Sequence, residues 1–208
     1  LCLGAHCDDI EIGCGGSILK MIEEYRNLTF FWVVFSSDDV RGGEALESAN
    51  SFLNGSARKT IVIKKYKDGY FPYCGSEIKD YFESLKNDFS PDMIFTHYRH
   101  DMHQDHRLIS DLTWNTFRNN FILEYEIPKY DGDLSSPNLY IHLDETICEK
   151  KISCIVDIYK TQQNRKWFTR DLLYSLLRIR GMESNAPDNY SEGFYCRKIV
   201  LKSPERAQ

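Results

Sequence analysis

The sequence predicts an α/β fold, a Rossmann-like three-layer sandwich with a mostly parallel central sheet. Short apolar runs alternate with longer amphipathic stretches in the first half of the chain, which is the pattern of successive β-α units. Glycine and proline stand at the turns between these segments. Neither an internal repeat nor a linker is visible, so we predict that residues 1–208 form a single domain.

The elements follow from the apolar pattern in chain order. Strands are predicted at 1–5, 30–35, 60–63 and 92–97, and helices at 13–25, 44–53, 76–87 and 106–117. The run FFWVVF (30–35) is typical of a buried strand, and Ser90-Pro91 marks the turn before the fourth strand. The later pattern is less regular. It predicts strands at 122–128, 138–143 and 194–201 and helices at 145–159 and 169–179.

Composition narrows the classes of function. A net charge of −5, with 42% hydrophobic and 27% charged residues, is ordinary for a soluble globular protein and argues against a broad nucleic-acid surface. The net charge does not exclude a local cationic pocket for a phosphorylated small molecule. No apolar stretch reaches the roughly 20 residues of a membrane span. The seven cysteines are scattered without a CxxC pair, and we therefore predict a cytoplasmic protein.

Polar clusters follow three of the predicted strands. They are residues 6–11, 36–41 and 97–106, after the first, second and fourth strands. Ligands of open α/β sheets bind outside the carboxyl ends of the strands. Segments about ninety residues apart in the chain are therefore expected to converge on one edge of the sheet.

The first cluster contains His6, Asp8 and Asp9 directly after a buried strand. Successive side chains of extended backbone point in opposite directions, so the two neighbouring carboxylates are expected to have different roles. One carboxylate as a metal ligand and one as a general base is the arrangement that metal-dependent hydrolysis needs. The alternative is that Asp8 or Asp9 caps the following helix and that His6 has no special role.

The second cluster holds four of the six histidines within residues 97–106. His103 and His106 are three residues apart and would share one face of a helix. Asp105 could orient one of the imidazoles. The alternative is an exposed histidine-rich loop that binds metal only adventitiously.

The two segments resemble the PIG-L/LmbE family of zinc-dependent N-acetylglucosaminyl deacetylases. The family's AHPDDE-like motif corresponds to AHCDDIE at 5–11, and its HxxDH motif corresponds to HQDH at 103–106. Residues 180–181 and 190–194 look like the family's closing segment. Cys7 replaces the usual proline, and Ile10 stands where glutamate is commonest. The resemblance implies one deacetylase domain over residues 1–208.

The resemblance also implies roles for individual residues. His6, Asp9 and His106 look like the ligands of one Zn²⁺, although other divalent metals also accept imidazole and carboxylate. Asp8 looks like the general base. His103 looks like the residue that steadies the oxyanion and protonates the leaving amine, with Asp105 supporting His103.

Position in the chain suggests further contacts with substrate. The candidates are Arg41, Tyr98, Asp101 and Arg180. An exposed loop position explains Arg41 equally well. We therefore expect a hydrolase that removes an N-acetyl or N-acyl group from a small-molecule amino sugar or its conjugate. The alternatives are an amidase for a sugar–thiol or non-sugar amide, and a non-catalytic metal- or nucleotide-binding α/β module.

Overall fold

The computed structural model describes residues 1–200 and contains one seven-stranded sheet in that range. The strands are β1 (Cys2–Gly4), β2 (Thr29–Val34), β3 (Arg58–Ile63), β4 (Met93–His97), β5 (Phe121–Tyr125), β6 (Leu139–Leu143) and β7 (Tyr190–Tyr195). The helices are α1 (Asp9–Glu24), α2 (Asp39–Phe52), α3 (Gly75–Asp88), α4 (Gln104–Thr116), α5 (Glu145–Ile158) and α6 (Arg170–Glu183).

The strand order is β3-β2-β1-β4-β5-β7-β6. Strands β1 to β5 run parallel, and β7 is antiparallel to both β5 and β6. The chain leaves β1 toward β2 and β3 on one side and later places β4 and β5 on the other. The order therefore reverses between β1 and β4, and such a reversal opens a crevice at the carboxyl ends of the two strands.

Two hydrophobic cores lie on opposite faces of the sheet. Apolar residues of α1, α2, α5 and α6 form one core with the sheet, and residues of α3 and α4 form the other. Ile78, Phe82 and Leu85 are the buried residues of α3, as their helical spacing predicts. The predicted three-layer α/β fold is confirmed.

A buried ion pair joins α1, α5 and β7. Lys151 of α5 donates to the carbonyl of Ile12 at 2.7 Å and to Glu192 of β7 at 2.6 Å. Glu192 also accepts the backbone N–H groups of Gly16 and Ser17, at 2.8 and 2.7 Å. The pair thus satisfies backbone groups of α1 and fixes the helix against the sheet.

One predicted element is wrong in its position. The final strand was expected at 194–201, but β7 covers Tyr190–Tyr195 and residues 196–200 form no strand. Residue 201 lies outside the described range. The prediction followed the apolar residues, whereas the strand, YSEGFY, includes the buried polar residues Ser191 and Glu192. None of the described helices combines the length and apolar character required to cross a bilayer.

Candidate metal centre

A cavity of about 240 Å³ lies at the carboxyl ends of the parallel strands. Six predicted site residues line it: His6, Asp8, Asp9, Arg41, His103 and His106. They come from the segments that follow β1, β2 and β4, and the predicted convergence at one edge of the sheet is therefore observed. The cavity occupies the point where the strand order reverses.

His6, Asp9 and His106 place three donor atoms close together. Nδ1 of His6 lies 3.1 Å from Nε2 of His106 and 3.4 Å from Oδ2 of Asp9. Nε2 of His106 lies 3.6 Å from Oδ2 of Asp9. Tetrahedral zinc with ligands at about 2.1 Å requires donor atoms about 3.4 Å apart. The three residues therefore fit one zinc-sized cation, with a fourth position left for water or substrate.

The orientation of His106 is set by a carboxylate behind it. Nδ1 of His106 lies 2.9 Å from Oδ2 of Asp101, which also contacts Lys129 at 2.9 Å. This contact places the proton on Nδ1 and leaves the Nε2 lone pair directed at the cavity. Burial, together with neighbouring His97, lowers the pKa of His106 to about 3, so the ring is neutral as a ligand must be.

His6 is held by two further carboxylates. Its Nε2 lies 3.0 Å from Oδ1 of Asp68 and 3.3 Å from Oδ2 of Asp105. Asp105 is completely buried and accepts the backbone N–H groups of Gly69 and Phe71, at 2.7 and 3.1 Å. A fixed carboxylate thus sets the ring orientation of His6 and ties it to the loop after β3.

The local electrostatics favour a cation at this position. Burial would lower the pKa of His6, but the charge of Asp9 and hydrogen bonds to Asp105 raise it well above its ordinary value. A proton or a metal ion can supply the positive charge that these buried carboxylates require. The donor set of two imidazoles and one carboxylate suits a metal ion.

Asp8 lies beside the three donors without joining them. Its Oδ1 accepts a hydrogen bond from Arg41 at 3.3 Å, and its buried Oδ2 has no partner among residues 1–200. Its side chain makes no capping bond to α1, which removes the capping alternative for this residue. Burial and the adjacent Asp9 raise the pKa of Asp8. A buried carboxylate oxygen without a partner inside a cavity is suited to accept a proton.

His103 caps α4 and faces the same cavity. Its Nδ1 accepts the backbone N–H of Asp105 at 3.3 Å, so the neutral ring carries its proton on Nε2. Its ring meets that of His6 edge-on, with centroids 4.9 Å apart. Asp105, predicted to support His103, bonds it through this backbone N–H, while its carboxylate contacts His6.

Sequence reasoning missed the role of His97 at the end of β4. Its ring stacks on that of His106 at 3.9 Å, and its Nε2 lies 3.2 Å from Oδ2 of Asp9. Three overlapping groups of side chains have donor atoms close enough to hold a metal ion: His6, His103 and His106; His6, Asp68, His103 and Asp105; and Asp9, His97 and His106. However, Nε2 of His97 already accepts the N–H of Ala5 at 2.9 Å, which occupies its lone pair. His97 therefore packs the site from behind.

Three predicted substrate contacts do not line the cavity that residues 1–200 form. Tyr98 stacks on Tyr195 at 3.7 Å, and Asp101 is buried behind His106. Arg180 is buried, and its guanidinium makes two 2.7 Å contacts with Glu126. The structure therefore does not bring these three side chains to the cavity, and their predicted contacts with substrate stay predictions.

Several lining residues were not singled out from the sequence. They are Asp68, Ile127, Lys129, Tyr130, Asp131, Gln162, Arg165 and Trp167. Residues 127–131 follow β5, so their position at a strand's carboxyl end was a usable signal. Nothing in the apolar pattern marks residues 162–167, which lie in the connection between α5 and α6.

The fold and site define a class of α/β protein with a histidine–aspartate cluster at the reversal between β1 and β4. The PIG-L model, described as GlcNAc-PI de-N-acetylase, matches residues 1–117. This match covers more than half of the 208 residues, and the chain belongs to the PIG-L family.

Solved structures share the fold over nearly the whole chain. The conserved protein TT1542 from Thermus thermophilus has 16% identity and a TM-score of 0.76, covering 99% of this chain and 98% of its own. The N,N'-diacetylchitobiose deacetylase from Pyrococcus horikoshii has 22% identity and a TM-score of 0.70, covering 93% and 81%. GalB, the 4-carboxy-2-hydroxymuconate hydratase from Pseudomonas putida, has 14% identity and a TM-score of 0.70, covering 98% of each chain. The fold therefore hosts more than one reaction.

Proposed function

We propose that the protein is a zinc-dependent hydrolase that removes an N-acetyl or N-acyl group from an amino sugar or sugar conjugate. The observation that carries the proposal is the triangle of His6, Asp9 and His106 donor atoms beside the unpartnered Oδ2 of Asp8. The family description and the deacetylase among the similar structures support the reaction and the sugar.

His6, Asp9 and His106 would hold the ion, with the two imidazoles oriented by Asp105 and Asp101. Bound zinc supplies Lewis acidity, which polarises a carbonyl and activates water near neutral pH. A site with two histidines, one aspartate and an open position is typical of catalytic rather than structural zinc.

Asp8 accepts a proton from the attacking water as the new carbon–oxygen bond forms. Arg41 holds the other carboxylate oxygen of Asp8, which keeps Oδ2 directed away from that ion pair. His103 passes the proton that Asp8 took from the water to the amine as the carbon–nitrogen bond breaks, so both side chains return to their starting protonation states. The products are one carboxylic acid and one free amine per water consumed.

The test is product stoichiometry with zinc-loaded protein. We expect acetate and free amine in a 1:1 ratio from N-acetylglucosamine or its conjugates, and little release from N-acetyl amides that lack a sugar. Faster release from the non-sugar amides would favour a general amidase. One zinc per chain without hydrolysis of any amide would favour a binding module and contradict the proposal.

A further inference from the structure

The connection between α5 and α6 contributes an arginine and a tryptophan to the cavity. Arg165 and Trp167 line it together with the donor atoms described above. This connection is fixed to α2, because the backbone N–H and the hydroxyl of Thr161 both donate to Glu44, at 2.9 and 2.6 Å. The two side chains are therefore presented by an anchored segment.

The three cations that line the cavity differ in their partners. Arg41 is paired with Asp8 at 3.3 Å, and Lys129 is paired with Asp101 at 2.9 Å. The guanidinium of Arg165 is exposed and makes no ion pair or hydrogen bond within the described part of the chain. Arg165 is thus the lining cation whose charge the protein itself leaves uncompensated.

The volume of the cavity limits how much of a substrate it can hold. The cavity of about 240 Å³ is smaller than the roughly 300–1,000 Å³ of most ligand pockets, so it accommodates only part of a substrate. The half-buried Trp167 offers an apolar surface to a sugar ring, and Arg165, two residues earlier in the chain, is exposed to solvent. An arginine fork recognises phosphate and carboxylate oxygens in bidentate fashion.

We propose that Trp167 and Arg165 form a subsite for an acidic amino sugar, with Trp167 packing on the ring and Arg165 binding its phosphate or carboxylate. This inference rests on the proposed function and specifies its substrate class. Asp131 also lines the cavity, and its negative charge would disfavour an anion placed beside it, which favours Arg165 as the partner of the acidic group.

The test compares N-acetylglucosamine with its 1-phosphate, its 6-phosphate and N-acetylmuramic acid, which place the acidic group at three positions. We expect at least one acidic sugar to exceed the neutral sugar about tenfold in kcat/KM. Arg165→Gln should remove most of that ratio, whereas Lys166→Gln should preserve it, because exposed Lys166 is a neighbour outside the cavity lining. Equal kcat/KM for the neutral and every acidic sugar, or an unchanged ratio in Arg165→Gln, would overturn the subsite.

Direct binding separates this inference from the hydrolase proposal. Absence of acetate release from every sugar would contradict the hydrolase, but calorimetry with the same sugars still reports the subsite. Tighter binding of an acidic sugar that is lost in Arg165→Gln and kept in Lys166→Gln supports it. Trp167→Ala should weaken binding of acidic and neutral sugars alike. Identical affinities in the wild type and Arg165→Gln would overturn the subsite.

Discussion

The Oδ2 atom of Asp105 lies 3.3 Å from Nε2 of His6, on the side of the ring opposite the proposed metal. The same carboxylate accepts two backbone N–H groups of the loop after β3. Asp105 is therefore a positioning residue for a proposed ligand, and its effect should appear in metal affinity.

Asp105→Asn should weaken zinc binding about 10- to 100-fold, because the amide is a poorer acceptor for the proton on His6. Competition with a chromophoric chelator measures this affinity. Asp101→Asn should act similarly through His106, and Asp80→Asn, on exposed α3 surface, is the matched control. Wild-type zinc affinity in Asp105→Asn would show that the contact with His6 does not orient a ligand.

The pH dependence of activity should move when Arg41 is removed. Burial and Asp9 raise the pKa of Asp8, and the charge of Arg41 lowers it. Asp8 must be ionised to accept a proton, so activity falls as the pH drops through its pKa. Arg41→Gln should raise that pKa and shift the acid limb of kcat/KM to higher pH. A limb that stays in place or moves to lower pH in zinc-saturated protein would refute the role of Asp8, and exposed Lys65→Gln serves as the control.

The buried pair of Lys151 and Glu192 should dominate the attachment of α1. Lys151→Met leaves the Glu192 charge buried without its partner, and we expect a loss of about 3–5 kcal/mol in the free energy of unfolding. Lys150→Met removes an exposed lysine with only a 3.9 Å contact to Glu23 and should cost less than about 1 kcal/mol. Chemical denaturation of both variants measures the difference, and equal losses would count against the attachment.

Replacing two helical glycines by alanine should change the stability of the protein in opposite directions. A Cβ at Gly13 would overlap the ring of Tyr125, whose hydroxyl donates to the carbonyl of Leu3 at 2.6 Å. Gly13→Ala should therefore destabilise the protein by about 1–3 kcal/mol. A Cβ at Gly43 meets no described atom within 4 Å, and Gly43→Ala should stabilise α2 by up to about 1 kcal/mol. Thermal unfolding tests the pair, and a stable Gly13→Ala would mean that α1 can move away from β5.

The sequence predicted more of the backbone than of the side-chain contacts. Apolar periodicity and turn residues located nearly every element, because these local features reflect which face is buried. The convergence of distant motifs was also predictable, because the carboxyl ends of parallel strands lie at the same edge of a sheet. Side-chain contacts depend on directions that are set by packing between segments far apart in the chain. Examples are the contact of Asp105 with His6 and the pairing of Arg180 with Glu126. Residues 162–167 approach the cavity through a connection whose course no local pattern encodes.

Zinc content and activity, measured together in Asp8→Asn and Asp9→Ala, distinguish a proton acceptor from a metal ligand. We expect Asp8→Asn to keep one zinc per chain and to lose about 10²- to 10⁴-fold in kcat, because Asp8 moves a proton without holding the metal. We expect Asp9→Ala to lose the zinc itself, because a donor of the triangle is gone. Equal loss of zinc in the two variants would contradict the division of roles between these neighbouring carboxylates.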